Sequence, residues 1–145
     1  MNCITYHMMQ QLRAVGFSFP DYEHCLNLGM VFYYNNDEYY IGGFGNSEYS
    51  KLAIVAAREG CWLPSEDQLL EWLYLVGFDV DIHLTSDLMR FRVTAKDQVN
   101  QMQYFAQGGS LAYALHKLIY KICKAKKRQY IPRSLNRIEL SSDKK

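Results

Sequence analysis

No stretch of this chain stays apolar long enough to cross a bilayer. A spanning helix needs about 20 apolar residues, and the longest purely aliphatic run is Leu52–Ala57. The N-terminal stretch lacks the early positive charge and apolar core of a secretory signal. Its first basic residue is Arg13, and polar residues interrupt each apolar stretch. The cysteines Cys3, Cys25, Cys61 and Cys123 include no C-x-x-C pair, the spacing of zinc knuckles and redox sites. The expectation is therefore a cytoplasmic protein with free thiols that behave as small apolar residues. No P-loop, H-E-x-x-H or serine nucleophile elbow occurs. Gly42-Gly43-Phe44-Gly45 has no Lys-Ser/Thr after it, as a phosphate cradle would. The hydrophobic fraction of 49% excludes disordered and collagen-like chains. These absences point away from an enzyme and from a cofactor.

The charge is balanced in number and unbalanced in place. Over 145 residues the net charge is +1. Residues 1–116 hold six basic and thirteen acidic side chains, while residues 117–145 hold ten basic and two acidic. An acidic body with a basic end favours electrostatically steered contact, either with a second copy or with a partner.

Capping signals predict four helices, over about 3–15, 48–59, 66–76 and 111–128. Gly16, Gly60 and Gly77 stand where a helix C-cap falls. Ser65-Glu66-Asp67-Gln68 is a capping-box pattern, and Ser47 and Ser110 each precede an apolar segment. Between the helices the period is two. Phe78, Val80, Ile82 and Leu84 alternate with Asp79, Asp81 and His83, and Met89, Phe91 and Val93 alternate with Arg90 and Arg92. The expected hairpin pairs Leu84 with Met89, and Gln101–Ala106 supplies a third strand. Met30–Tyr34 and Glu38–Ile41 form a second hairpin around Asn35-Asn36-Asp37. Val-Gly-Phe at 15–17 and again at 76–78 suggests two diverged αβββα units, roughly 1–60 and 64–125. The predicted class is α+β, with antiparallel sheet or sheets and four helices. The expected organisation is a single compact domain over 1–128 and a basic tail over 129–145.

The order of residues 65–123 is capped helix, Val-Gly-Phe, charged hairpin, third strand, then Gly-Gly-Ser and an apolar helix. This resembles small αβββα sandwich accessory proteins of phages and mobile elements, over about 40% of the chain. The resemblance implies a compact accessory protein and brings no catalytic residue. The double-stranded RNA-binding domain shares the element order but places a basic cluster at the start of its last helix. Here that helix opens Ser110-Leu111-Ala112-Tyr113-Ala114, with no basic residue before Lys117.

Four constellations are candidate sites. On the last helix Leu111, Leu115, Leu118, Ile119 and Ile122 form an apolar stripe, and Lys117, Lys121, Lys124 and Arg128 step along another face. Lys126 and Lys127 extend that basic run, and Tyr113 and Tyr120 are interleaved with it. Such a face contacts phosphate in nucleic-acid binders; equally, it is a solvated helix face whose cations complement the helix dipole. The first hairpin carries Tyr33, Tyr34, Tyr39, Tyr40 and Phe44, large rigid surfaces suited to a protein partner. Asp79, Asp81 and His83 share one strand face at steps of about 7 Å, the weak candidate for a metal site. The expected register sets Asp81 opposite Arg92 and His83 opposite Arg90, which explains the acids as ladder partners and argues against a metal. Cys3, His7, His24 and Cys25 make a poorer metal pool, and the expectation is no metal. The reading is a non-enzymatic binding or adaptor protein of a phage or mobile element, acting through protein–protein contacts or self-association. The alternative is a nucleic-acid-binding accessory protein using the last helix, and no membrane partner is expected.

Overall fold

The computed structural model describes residues 3–126 except 24, 26, 28, 43–46, 87 and 88, with only the backbone of 47–50. Phe44, Lys127, Arg128 and the tail over 129–145 lie outside the described residues.

The first helix, α1 (Tyr6–Ala14), begins three residues later than the sequence predicts. The Ile4 N–H donates to the Pro64 carbonyl at 3.0 Å and Cys3 bridges Ser65, which holds residues 3 and 4 extended. Thr5 then caps the helix by accepting the Met8 N–H at 3.2 Å. β1 (Val31–Tyr34) and β2 (Asp37–Tyr40) form the expected hairpin, with Tyr34 opposite Asp37. Asn35 and Asn36 between them have φ of 55° and 68°. That is a type I′ turn, whose two left-handed residues suit the strand twist and which asparagine tolerates.

α2 (Ser47–Glu59) leads through Gly60 into β3 (Cys61–Leu63), which pairs antiparallel with β1. β3 is absent from the sequence reading because all three of its residues are buried, so no alternation marks it. Gly60 is not a left-handed cap. A Cβ there would come within 2.4 Å of the Tyr33 carbonyl oxygen and 2.6 Å of that of Ala56, so glycine admits the close approach of β1.

α3 (Glu66–Leu75) starts with the predicted capping box. The Gln68 N–H donates to Ser65 Oγ at 3.2 Å, and Gln68 Oε1 accepts the Ser65 N–H at 3.0 Å. Gly16 and Gly77, with φ of 94° and 102°, end α1 and α3 as expected. At α1 the Gly16 and Phe17 N–H groups close on the carbonyls of Arg13 and Leu12, a Schellman motif.

β4 (Phe78–Thr85), β5 (Arg90–Asp97) and β6 (Gln103–Gly108) follow as a meander, and α4 (Leu111–Lys126) closes the described chain. The hairpin register differs by two from the expected one. Thr85 pairs with Arg90, Leu84 with Phe91, His83 with Arg92, Asp81 with Thr94 and Asp79 with Lys96. A shift of two keeps every side chain on its face, so the alternation pattern cannot distinguish the registers. The turn is displaced accordingly, and Met89 takes φ of 49° to close it.

The fold is thus α+β, and the described residues form four helices and two three-stranded antiparallel sheets, ordered β2-β1-β3 and β4-β5-β6. The two halves differ in sheet topology. The first takes its third strand from beyond α2 and centres on β1, whereas the second is a meander centred on β5. α4 lies against β5 and β6 on one side and α1 and α3 on the other. Its buried band is therefore wider than the predicted stripe, and includes Ala112, Ala114, His116 and Cys123. Phe17, Phe19, Tyr22, Trp62 and Trp72 pack ring on ring beneath α3. The Trp72 indole N–H donates to the Ser18 carbonyl at 3.0 Å, which ties the two halves together. Among the described residues no helix is long and apolar enough to cross a membrane.

Candidate binding groove on the last helix

The cations of α4 have assigned positions. Lys117 Nζ donates to the Gln107 carbonyl at 3.0 Å and lies 5.3 Å from the Tyr113 ring centre. Lys121 Nζ donates to the Phe105 carbonyl at 2.7 Å and lies 5.2 Å from the Phe105 ring centre. Lys124 lies 5.7 Å from the Tyr120 ring centre and holds no carbonyl among the described residues. Each ammonium group so placed gains from the negative face of a ring. Lys126 instead pairs with Asp97, Nζ to Oδ2 at 3.6 Å. Asp97 also accepts the Val99 and Asn100 N–H groups at 2.9 and 3.3 Å. The Val99 hydrogen bond first, and then Asn100 and Lys126, hold its carboxyl below the usual range.

Between this helix face and α1 lies an open groove of about 630 Å³, lined by Gln11, Tyr113, His116, Lys117, Tyr120, Lys121, Lys124 and Ala125. Its floor carries a feature that the sequence reading passed over. His116 is only 5% exposed, and neither ring nitrogen has a hydrogen-bond partner among the described residues. An orphaned buried polar group costs about 1–3 kcal/mol. Burial first, and then the nearby His7 and Lys117, lower its proton affinity from the ordinary value of 6.5. The imidazole is neutral at pH 7 and offers one N–H donor and one acceptor. His116 falls at i+4 from Ala112 and i−3 from Ile119, inside the buried band. That spacing is the signal that could have singled it out. Gln11 is brought to the groove by the packing of α1 on α4, which no local pattern announces.

The aromatic hairpin is largely consumed by packing. Tyr33, Tyr34 and Tyr39 are half-buried and Tyr40 is 42% exposed. Tyr33 stacks on Tyr6 with centroids 4.0 Å apart, and its hydroxyl donates to Asn36 Oδ1 at 3.0 Å. Tyr33 and Tyr34 also line a smaller groove of about 440 Å³ with Tyr6, Arg13, Glu59 and Cys61.

Asp79, Asp81 and His83 share the outer face of β4 and are exposed. They face Lys96, Thr94 and Arg92 across the ladder, and Asp79 Oδ1 accepts from the Gln98 amide at 2.9 Å. Among the described residues no group of three His, Cys, Asp or Glu is placed to hold a metal ion. The four cysteines are free thiols. Cys61 and Cys123 are buried, and burial pushes the Cys123 thiol up to about 12.

Comparison of the chain with protein-family models, curated proteins and solved structures finds no match.

Proposed function

We propose that this is a non-enzymatic adaptor that docks an acidic segment of a partner protein into the groove on α4. The observation that carries the reading is the orphaned His116 on the floor of a groove rimmed by three lysines and two tyrosines. A carboxylate entering the groove would accept the His116 N–H and pair with Lys124, whose ammonium holds no carbonyl among the described residues. Tyr113 and Tyr120 would supply contact area at low entropic cost. The same face suits nucleic acid less well. Lys117 and Lys121 each already hold a strand carbonyl, whereas a phosphate track needs a continuous row of free cations.

The test is calorimetric titration of the full chain with a short glutamate-rich peptide and, separately, a single-stranded oligonucleotide of equal charge. The peptide is expected to bind, and Lys124→Glu or His116→Phe to weaken it about tenfold. Lys51→Glu, on α2, is expected to leave binding unchanged. Absence of peptide binding would overturn the reading. Preferential binding of the oligonucleotide, lost in Lys124→Glu, would replace it with the nucleic-acid reading.

A further inference from the structure

The geometry points to a second copy of this chain as the occupant of the β4 edge, joining two β4-β5-β6 sheets into one of six strands. This stands apart from the α4 groove and from any peptide that groove takes.

The edge can be assigned from the hydrogen bonds. The Gln98 N–H donates to the Gly77 carbonyl at 3.0 Å, so odd-numbered residues of β4 turn their backbone groups toward β5. Val80, Ile82 and Leu84 therefore turn theirs outward, and β4 is the terminal strand of its sheet. Their side chains share the sheet face of Val93 and Ala95, which are fully buried. Yet Ile82 and Leu84 remain 44% and 47% exposed. A long edge with uncovered apolar side chains is a template for pairing with another strand.

Charge selects the partner and the register. Antiparallel pairing of β4 with itself about a two-fold axis at Ile82 matches outward-facing residues, with Val80 opposite Leu84 of the second copy. It sets Asp81 opposite His83 of the second copy, and that row continues into Arg92. Asp79 falls opposite Thr85, in a row that continues into Arg90. The acidic end of each β4 meets the end of the other sheet whose β5 carries Arg92 and Arg90, and both contacts occur twice. Moving the axis by one position sets Asp81 against Asp81 or His83 against His83. Centring it on Val80 sets Asp79 against Asp81. On the opposite face the Ile82 side chains meet and cover each other.

Sedimentation of the full-length protein over a concentration series tests this. The wild type is expected to dimerise. Ile82→Pro removes an outward N–H while keeping the β4–β5 ladder and is expected to be monomeric. Asp81→Lys should raise the dimer dissociation constant about tenfold or more, and Asp81→Lys with His83→Asp should restore it. If Ile82→Pro loses the fold by circular dichroism, the charge swap alone decides. A wild type that stays monomeric, a dimer indifferent to Asp81→Lys or to a folded Ile82→Pro, or a swap that restores nothing would each overturn the proposal.

Discussion

The two edges of the β4-β5-β6 sheet are built to opposite plans. At β6 the outward carbonyls of Phe105 and Gln107 are taken by Lys121 and Lys117 of α4. The helix that covers the sheet face thus also reaches around its edge, and each lysine Nζ lies over an aromatic ring as well. At β4 no lysine among the described residues plays that part. Arg90, Arg92 and Lys96 stand on the neighbouring strand β5, and the outward side of β4 carries Val80, Ile82 and Leu84. Lysine on or over an edge strand is a standard way to prevent association. Two outward carbonyls of β6 are thus taken by α4, whereas the apolar β4 edge has no such cover among the described residues, and the proposed pairing falls there. The contrast also alters the meaning of the basic face of α4, since two of its cations serve the sheet as well as the groove.

The largest expected effect comes from opening the closed edge. Lys117→Met with Lys121→Met keeps the apolar stems and removes both donors. Each lost hydrogen bond should cost about 1 kcal/mol in denaturant unfolding. The sheet would then have two open edges, and light scattering should show assemblies larger than those of the wild type. If the double variant keeps the wild-type size, the lysines are not what closes β6.

A more local effect, without a change of assembly, is expected at the turn that joins β5 to β6. Asp97 holds that turn through Val99 and Asn100 and anchors the end of α4 through Lys126. Asp97→Ala should cost about 1–3 kcal/mol, because two backbone N–H groups lose their acceptor. Asp97→Asn keeps an acceptor and loses only the charge, so its cost should stay under about 1 kcal/mol. The sign with pH follows from the lowered affinity of the folded carboxyl for a proton. Its contribution is whole above the ordinary aspartate value of about 4 and is lost as pH falls through the folded value. Urea midpoints of wild type and Asp97→Ala should therefore converge in acid. Parallel curves would show that the carboxylate charge is not what holds the turn.

The edges also show what a single sequence can convey. The β4–β5 hairpin was legible because Phe78–Leu84 and Met89–Val93 alternate, and the basic face of α4 because its lysines recur at helical spacing. The register was not legible, since a slip of two residues preserves every face. Edge status was not legible either. Ile82 and Leu84 read like Val80, and only the placement of α3 and α4 leaves them uncovered. The carbonyl partners of Lys117 and Lys121 depend on β6 lying beside α4, a contact between elements rather than a pattern within one. His116 was hidden by its neighbours: set between Leu115 and Lys117, it reads as part of the polar face although its spacing is that of the core. β3 escaped because three buried residues have no period.

The smallest effect concerns the groove on the closed side, and separates a binding site from plain packing. His116 in the folded chain binds a proton less readily than in the unfolded chain. Where folded and unfolded values differ in that direction, the unfolded state holds more protons and stability rises with pH. The contribution of His116 is therefore whole above the ordinary histidine value of about 6.5 and declines as pH falls below it, by no more than about 1.4 kcal/mol per pH unit. His116→Phe removes the titrating group and the orphaned polar atoms together. Its unfolding free energy should be near that of the wild type at pH 8 and higher than it at pH 5. A glutamate-rich peptide in the groove should reduce the difference, because a carboxylate beside His116 favours the protonated ring that burial disfavours. If the curves differ equally with and without peptide, His116 is a packed core residue that the ligand does not reach. The open β4 edge would then be the surface left to carry recognition.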